Sequence, residues 1–262
     1  GLHAGARSVV LRQLSEKHNL FIVLDNADEA QYMYADLVTL YEETVPKGQS
    51  RVFYFPTSHR RRQATDEAMA IQRTEVLSRL AEKEDNALTW VVVTYPDAVL
   101  EPVPAKQDLT QRSLTVHQGD EIGLTRLTEQ LMTLDFQKVD FVYEPGQYAV
   151  RGGIVDVYSY SHEDPYRLDF FGDEIDSIRT FELETQLSME KVEKITLTPN
   201  PSCHEDGHQA EAYITDYLSE HVVWGSNDWS LVQFKWAEQA KHLMQKASLT
   251  LEIGHKSTFH TF

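Results

Sequence analysis

The stretch YRLDFFGDEIDSIRTF, residues 166–181, decides the fold of the middle of this chain. Apolar and polar residues alternate on both sides of Gly172-Asp173, a pair typical of a tight turn. The stretch therefore predicts two antiparallel strands joined by a short loop. Alternation divides the first strand into two faces, with Tyr166, Leu168 and Phe170 on one side and Arg167, Asp169 and Phe171 on the other.

More strands are predicted around this hairpin. Strand patterns cover 139–161 and 192–199, one helical pattern covers 123–136, and Pro145-Gly146 predicts another tight turn between strands. Gly152 and Gly153 are compatible with a bulge that redirects Arg151 or with a plain turn. We expect residues 113–199 to form a small α+β domain with an antiparallel sheet.

Helices and strands alternate in the first third of the chain. FIVLD, VFYF and LTWVVVTY are apolar strand patterns, and amphipathic helices are predicted between them, the first capped by Asn26 or Asp28. Alternation of this kind predicts a mostly parallel sheet, so residues 1–112 are expected to be an α/β domain that ends in a connector, EPVPAKQDLTQ. Residues 200–262 are predicted to be part of a further α/β lobe, with helices over 210–223 and 230–248.

The charge limits the classes of function. The 262 residues carry a net charge of -17, which disfavours nucleic-acid binding because that binding depends on contacts from lysine and arginine to phosphates. Arg60-Arg61-Arg62 is the exception, either a phosphate-binding patch or a solvated helix entry. The single cysteine, Cys203, and the lack of a long apolar run predict a cytoplasmic protein with no membrane association.

The opening GLHAGARS is compared with the phosphate-binding pattern G-x-x-x-x-G-K-[ST]. Gly1 and Ser8 fit, whereas Ala6 replaces a glycine and Arg7 replaces the lysine. A planar guanidinium does not substitute for a compact ammonium charge in a tight backbone cage. We expect a degenerate remnant with no cofactor and no catalytic residue. Residues 203–208, CHEDGH, are expected to be a polar loop and not a metal site.

The middle domain resembles a known family. Tyr-x-x-Arg-Gly-x-Ile-Val-Asp at 148–156 is followed by Arg-Leu-Asp-Phe-Phe-x-Asp-Glu-Ile-Asp at 167–176. These motifs are similar to those of the second domain of bacterial transcription-repair coupling factors and, more distantly, of the excision-repair helicase UvrB. The resemblance is strong over 140–200 and weak before residue 140.

The resemblance implies a degenerate helicase-like α/β domain of the P-loop type, an inserted adaptor domain that binds UvrA, and a further lobe. Arg151, Arg167 and Phe171 match the family's UvrA-binding positions. It also implies a monomer whose intact form is an ATP- and Mg²⁺-dependent DNA translocase, restrained by this module, that acts on RNA polymerase and DNA in transcription-coupled nucleotide excision repair. The DNA-clamping hairpin of UvrB has no counterpart between the strand VFYF and the next helix.

Three alternatives stay open at this point. Phe171 could be a core residue, with Arg167 paired to Asp169 or Glu174. The chain could instead be a UvrB-like, nucleotide-dependent helicase fragment in which Arg7 serves as the lysine. A DNA-binding domain that uses residues 60–62 would show steeply salt-dependent affinity for DNA.

Overall fold

A computed structural model describes residues 4–42, 51–58, 64–81, 89–199, 211–238 and 241. Its first segment contains five helices and four strands: α1 (Ala4–Leu14), β1 (Asn19–Val23), α2 (Ala27–Glu42), β2 (Val52–Phe55), α3 (Ala64–Ala81), β3 (Val91–Thr94), α4 (Pro96–Val99), β4 (Val103–Pro104) and α5 (Lys106–Gln111). Asn26 caps α2, because its Oδ1 accepts a hydrogen bond from the Glu29 amide at 3.0 Å. The connector that was predicted over 101–111 is partly helical, since it contains α5.

The middle segment contains one helix and eight strands: β5 (Leu114–His117), α6 (Leu124–Thr133), β6 (Gln137–Lys138), β7 (Gln147–Arg151), β8 (Ile154–Tyr158), β9 (Tyr166–Phe171), β10 (Glu174–Phe181), β11 (Ser188–Val192) and β12 (Lys194–Leu197). The predicted hairpin is confirmed, since β9 and β10 pair through Phe171 and Glu174 and Gly172 has φ 65°. Asp173-Glu174 therefore lies at a hairpin loop.

The last described segment departs from the predicted helix over 210–223. It contains β13 (Glu211–Ala212), a 3₁₀ helix (Ile214–Tyr217) and β14 (Val222–Ser226), followed by helical residues 229–238. The helix prediction is wrong because β14 is stabilised by pairing with β1, a contact distant in sequence that local spacing does not report. Asp228 Oδ1 accepts the amide of Ser230 at 2.8 Å at the start of the final helical stretch.

The described residues form four sheets, two of them two-stranded pairs (β12-β5 and β13-β4), and the two larger sheets organise most of the elements. The first has the order β14-β1-β3-β2 and is parallel throughout, as predicted for residues 1–112, and it includes β14 from the last segment. The second has the order β11-β10-β9-β8-β7-β6 and is antiparallel except for the β6–β7 pair. Pro145-Gly146 forms a turn between strands, as predicted, and the strands on either side of it, β6 and β7, are parallel.

The antiparallel sheet has two different faces. Helix α6 covers one face, where Leu127 and Leu131 are fully buried together with Tyr148, Val155 and Leu168. On the other face a smaller apolar cluster joins α3 to the sheet; its buried members are Ile71, Val142, Ala149, Tyr158, Tyr160 and Phe181. The rest of that second face carries the charged residues of the candidate site. Within the described residues, none of the helices combines the length and the apolar character needed to cross a bilayer.

Candidate functional site

Strand pairing brings Arg167 and Asp156 together. The register of β8 and β9 places the two residues directly opposite each other. Arg167 donates from Nε to Asp156 Oδ1 at 2.7 Å and from Nη2 to Oδ2 at 3.0 Å, which is a bidentate ion pair. The Asp156 side chain is only 2% exposed, so solvent screens this pair weakly.

Arg151 binds the same carboxylate. Asp156 is paired across the β7–β8 ladder with Ala149. Arg151 lies two residues further along β7, and its Nη2 donates diagonally to Asp156 Oδ2. Its guanidinium also lies over the ring of Phe141, 4.9 Å from the centroid. Two of the three predicted site residues thus meet on one buried carboxylate.

The electrostatics of the cluster follow from this sharing. The hydrogen bonds that Arg167 donates to Asp156 raise the pKa of Arg167, while burial acts in the opposite direction. Arg167 is further held by a bond from Nη1 to the Gln186 carbonyl at 3.2 Å, and its guanidinium lies 4.6 Å from the Phe181 ring centroid. One carboxylate for two guanidinium groups leaves the cluster with net positive charge in an acidic chain.

Phe171 ends β9 with its ring 82% exposed. The alternative that placed Phe171 in the core is therefore wrong. The predicted faces of β9 are confirmed, since Tyr166 and Leu168 are buried and Phe170 packs partly against the same core. Asp169, the other polar residue of the strand, accepts bonds from Arg179 and from Ser177 Oγ. The partner of Arg167 is thus Asp156, and not Asp169 or Glu174.

The hairpin between β7 and β8 is a plain two-residue turn. Arg151 pairs with Ile154 across it, and Gly152 has φ 61°, a backbone conformation that favours glycine. The alternative of a bulge is therefore wrong. Sequence reasoning missed Asp156, Phe141 and Phe181, although this Gly-Gly turn fixes the register that sets Asp156 opposite Ala149.

The predicted remnant of a phosphate-binding loop lies largely in α1. Ala6, Arg7 and Ser8 are helical, whereas Gly1 lies outside the described residues. Ser8 is buried, and its hydroxyl donates to the Gly5 carbonyl at 3.1 Å. Arg7 Nη1 donates to Asn227 Oδ1 at 2.8 Å, and both residues line a pocket of 330 Å³.

Most of that pocket is apolar. Arg7 and Asn227 are joined there by Val10, Leu11, Ile22, Leu24, Met33, Gly225 and Ser226. It lies where β1 and β14 end, the edge at which parallel sheets commonly bind ligands. Its lining has one cation and many aliphatic groups, which is a poor match to the several negative charges of a triphosphate.

Two sequence candidates lie outside the described residues, the polar loop 203–208 and the arginine run 60–62. Over the ranges that the structure does describe, no group of three or more histidine, cysteine, aspartate or glutamate side chains could hold a metal ion.

Comparison with known proteins identifies a family that matches the middle of this chain. Residues 114–202 match the family described as UvrB interaction domain. The chain is 30% identical over 205 residues to the transcription-repair-coupling factor of Bacillus subtilis, which covers 76% of this chain and 16% of that protein. It is 37% identical over 109 residues to the Escherichia coli factor, covering 42% of this chain and 10% of that protein.

A second kind of relative is UvrABC system protein B of Streptococcus uberis, 28% identical over 149 residues that cover 56% of this chain and 22% of that protein. The match to the Bacillus subtilis coupling factor covers most of this chain. It spans only about a sixth of the length of that protein. These matches identify residues 114–202 as a UvrB interaction domain and support an N-terminal, UvrB-like module of the transcription-repair-coupling-factor type.

Proposed function

We propose that this chain is a non-catalytic adaptor that binds UvrA through the second face of the antiparallel sheet. The observation that carries the proposal is the exposed ring of Phe171 on the same face as Arg151 and Arg167, which share the buried carboxylate of Asp156. The match of this segment to the UvrB interaction domain and the similarity to coupling factors support the same assignment.

The chemistry of this face suits a protein partner. Interfaces draw much of their binding energy from a few aromatic and arginine side chains that become desolvated. Because Phe171 is 82% exposed, its ring buries little apolar surface within its own domain. Because the net charge of the chain is -17, a local positive cluster selects a partner with a complementary acidic patch.

The proposal also covers the repair process in which this chain acts. The adaptor recruits UvrA to stalled RNA polymerase in transcription-coupled nucleotide excision repair, in the cytoplasm, as a monomer. In the intact protein, an ATP- and Mg²⁺-dependent DNA translocase, this module restrains the motor, while RNA polymerase and DNA are bound by other domains. The printed names of the relatives, transcription-repair-coupling factor and UvrABC system protein B, support the role in transcription-coupled repair.

Calorimetric titration of the chain with purified UvrA tests the adaptor function. The parent should bind, and the double variant Arg151→Ala, Phe171→Ala should not. Met132→Ala is the matched control, because Met132 is 63% exposed and lies on α6, which covers the opposite face of the sheet. Failure of the parent to bind would refute the adaptor function, and equal losses in the control would refute the assigned face.

The competing hypothesis is a nucleotide-dependent helicase fragment, which is favoured by one observation, the 330 Å³ pocket beside Arg7. The bond from Arg7 to Asn227 and the burial of the Ser8 hydroxyl favour the adaptor instead. Thermal unfolding with Mg²⁺-ATP separates the two. A bound nucleotide at a hundred times its dissociation constant would stabilise the fold by about 2.7 kcal/mol, whereas the adaptor predicts no shift.

A further inference from the structure

We propose that Phe141 is a positioning residue of the UvrA-binding face, whose ring fixes the guanidinium of Arg151 in its binding orientation. This inference rests on the proposed adaptor function. Phe141 lies outside both sequence motifs, in the connection between β6 and β7, so neither the resemblance nor the hairpin pattern points to it.

Arg151 is the arginine of the pair with room to bind a partner. Its side chain is 39% exposed, compared with 16% for Arg167. Arg167 already uses Nε, Nη1 and Nη2 in bonds to Asp156 and the Gln186 carbonyl. A guanidinium carries five N–H donors, and within the described residues the structure gives Arg151 one such bond, to Asp156. The remaining donors of Arg151 are available to a carboxylate of the partner.

A half-exposed arginine on a strand end would ordinarily sample many rotamers, and binding would have to immobilise it. Two contacts prevent that here. Asp156 holds one end of the guanidinium, whose central carbon lies over the ring of Phe141, 4.9 Å from the ring centroid. The ring comes from a different element than the carboxylate, so together they restrict both the reach and the rotation of the group. The entropy cost of ordering Arg151 is then met during folding and not during binding.

The arrangement also specifies the partner surface. Phe171 is 82% exposed, so an apolar ring and the guanidinium held by Phe141 are presented on one side of the sheet. The Phe170 amide donates to the Gly153 carbonyl at 2.8 Å, which keeps the end of β9 next to the turn that follows Arg151. The complementary surface of UvrA should therefore combine an acidic side chain with an adjoining apolar recess.

A double-mutant cycle tests the inference. UvrA is titrated with the parent, Phe141→Ala, Arg151→Ala and the double variant. Loss of a cation–π contact predicts about fivefold weaker binding for Phe141→Ala and a larger loss for Arg151→Ala. Because Phe141 acts through Arg151, the double variant should bind no more weakly than Arg151→Ala. Phe141→Tyr keeps the ring and should restore parental affinity.

Tyr143→Ala is the matched control, since Tyr143 is a 64% exposed aromatic residue of the same connection. It should bind like the parent, and circular dichroism should show that every variant is folded. Full affinity of Phe141→Ala would overturn the inference while leaving the adaptor function intact, and additive losses in the cycle would do the same. Absence of binding by the parent would overturn both.

Discussion

Alanine substitutions of two phenylalanines on the same face of the sheet should distinguish an effect on folding stability from an effect on UvrA binding. Phe171 ends β9 and is 82% exposed, whereas Phe181 ends β10 and is fully buried. Phe181 belongs to the cluster that joins α3 to the sheet, and the Arg167 guanidinium lies 4.6 Å from its ring centroid. Replacing each residue by alanine removes the same atoms from opposite environments.

The magnitudes follow from burial. Phe181→Ala leaves a cavity in a closed cluster and should lower the free energy of unfolding by about 3–5 kcal/mol. Phe171→Ala removes a ring that contributes little to folding, so its effect should stay within about 0.5 kcal/mol. As an interface anchor, Phe171 should contribute about 2 kcal/mol to UvrA binding, which is roughly a 30-fold change in the dissociation constant.

Urea unfolding followed by circular dichroism measures the first quantity, and calorimetric titration with UvrA measures the second. Phe171→Ala should unfold like the parent and bind UvrA about 30-fold more weakly. Phe181→Ala should unfold at lower urea and, in the fraction that is folded, bind with an affinity closer to that of the parent. A Phe171→Ala variant with parental affinity would refute the reasoning, as would one destabilised as strongly as Phe181→Ala.

The remaining predictions concern stability. Burial, and then a neighbouring carboxylate, raises the pKa of Glu75 from 4.5 to about 8, so the folded state binds the proton more tightly than the unfolded state. The free energy of unfolding should therefore fall as pH rises between those values, by at most about 1.4 kcal/mol per pH unit, and Glu75→Gln should reduce that slope in melting curves at pH 5–8. Arg73 is buried, and its guanidinium lies 3.5 Å from the Glu101 carboxylate, so Arg73→Ala should lower the free energy of unfolding in urea by about 3 kcal/mol. Arg126 is exposed, so Arg126→Ala should lower it by less than about 0.5 kcal/mol. Equal effects of the two substitutions would contradict this reasoning. Gly172→Ala should cost about 1–2 kcal/mol in the same assay because of its φ of 65°, although a Cβ there meets no atom, and an unchanged midpoint would show that the loop relaxes.

The sequence predicted the parts of this fold that depend on local pattern. Apolar patterns in 21–25 and 88–95 predicted buried strands, and their pairing in a parallel sheet followed from the helices between them. The hairpin around Gly172 was predicted because its turn residues and its alternation agree with each other. The helix predicted over 210–223 failed because the neighbouring strand β1 stabilises β14 and local spacing carries no information about that contact.

The sequence predicted only part of the candidate site, because local pattern carries no information about contacts between distant residues. Motif and alternation indicated Arg151, Arg167 and Phe171 and placed the last two on one face. The proposal that these residues bind UvrA is still to be tested. Sequence pattern did not identify the carboxylate that joins the two arginines, since Asp156 is one of many acids in a chain with 41 aspartates and glutamates.

By itself the sequence determined which residues share a strand face, where the turns lie and that a few arginines stand out in an acidic domain. These features depend only on neighbouring residues and on composition. Only the tertiary structure decided that Asp156 is buried between Arg151 and Arg167 and that Phe141 lies against Arg151. Those contacts depend on strand register and on the path of a connection without regular structure, both of which are fixed when distant segments pack together.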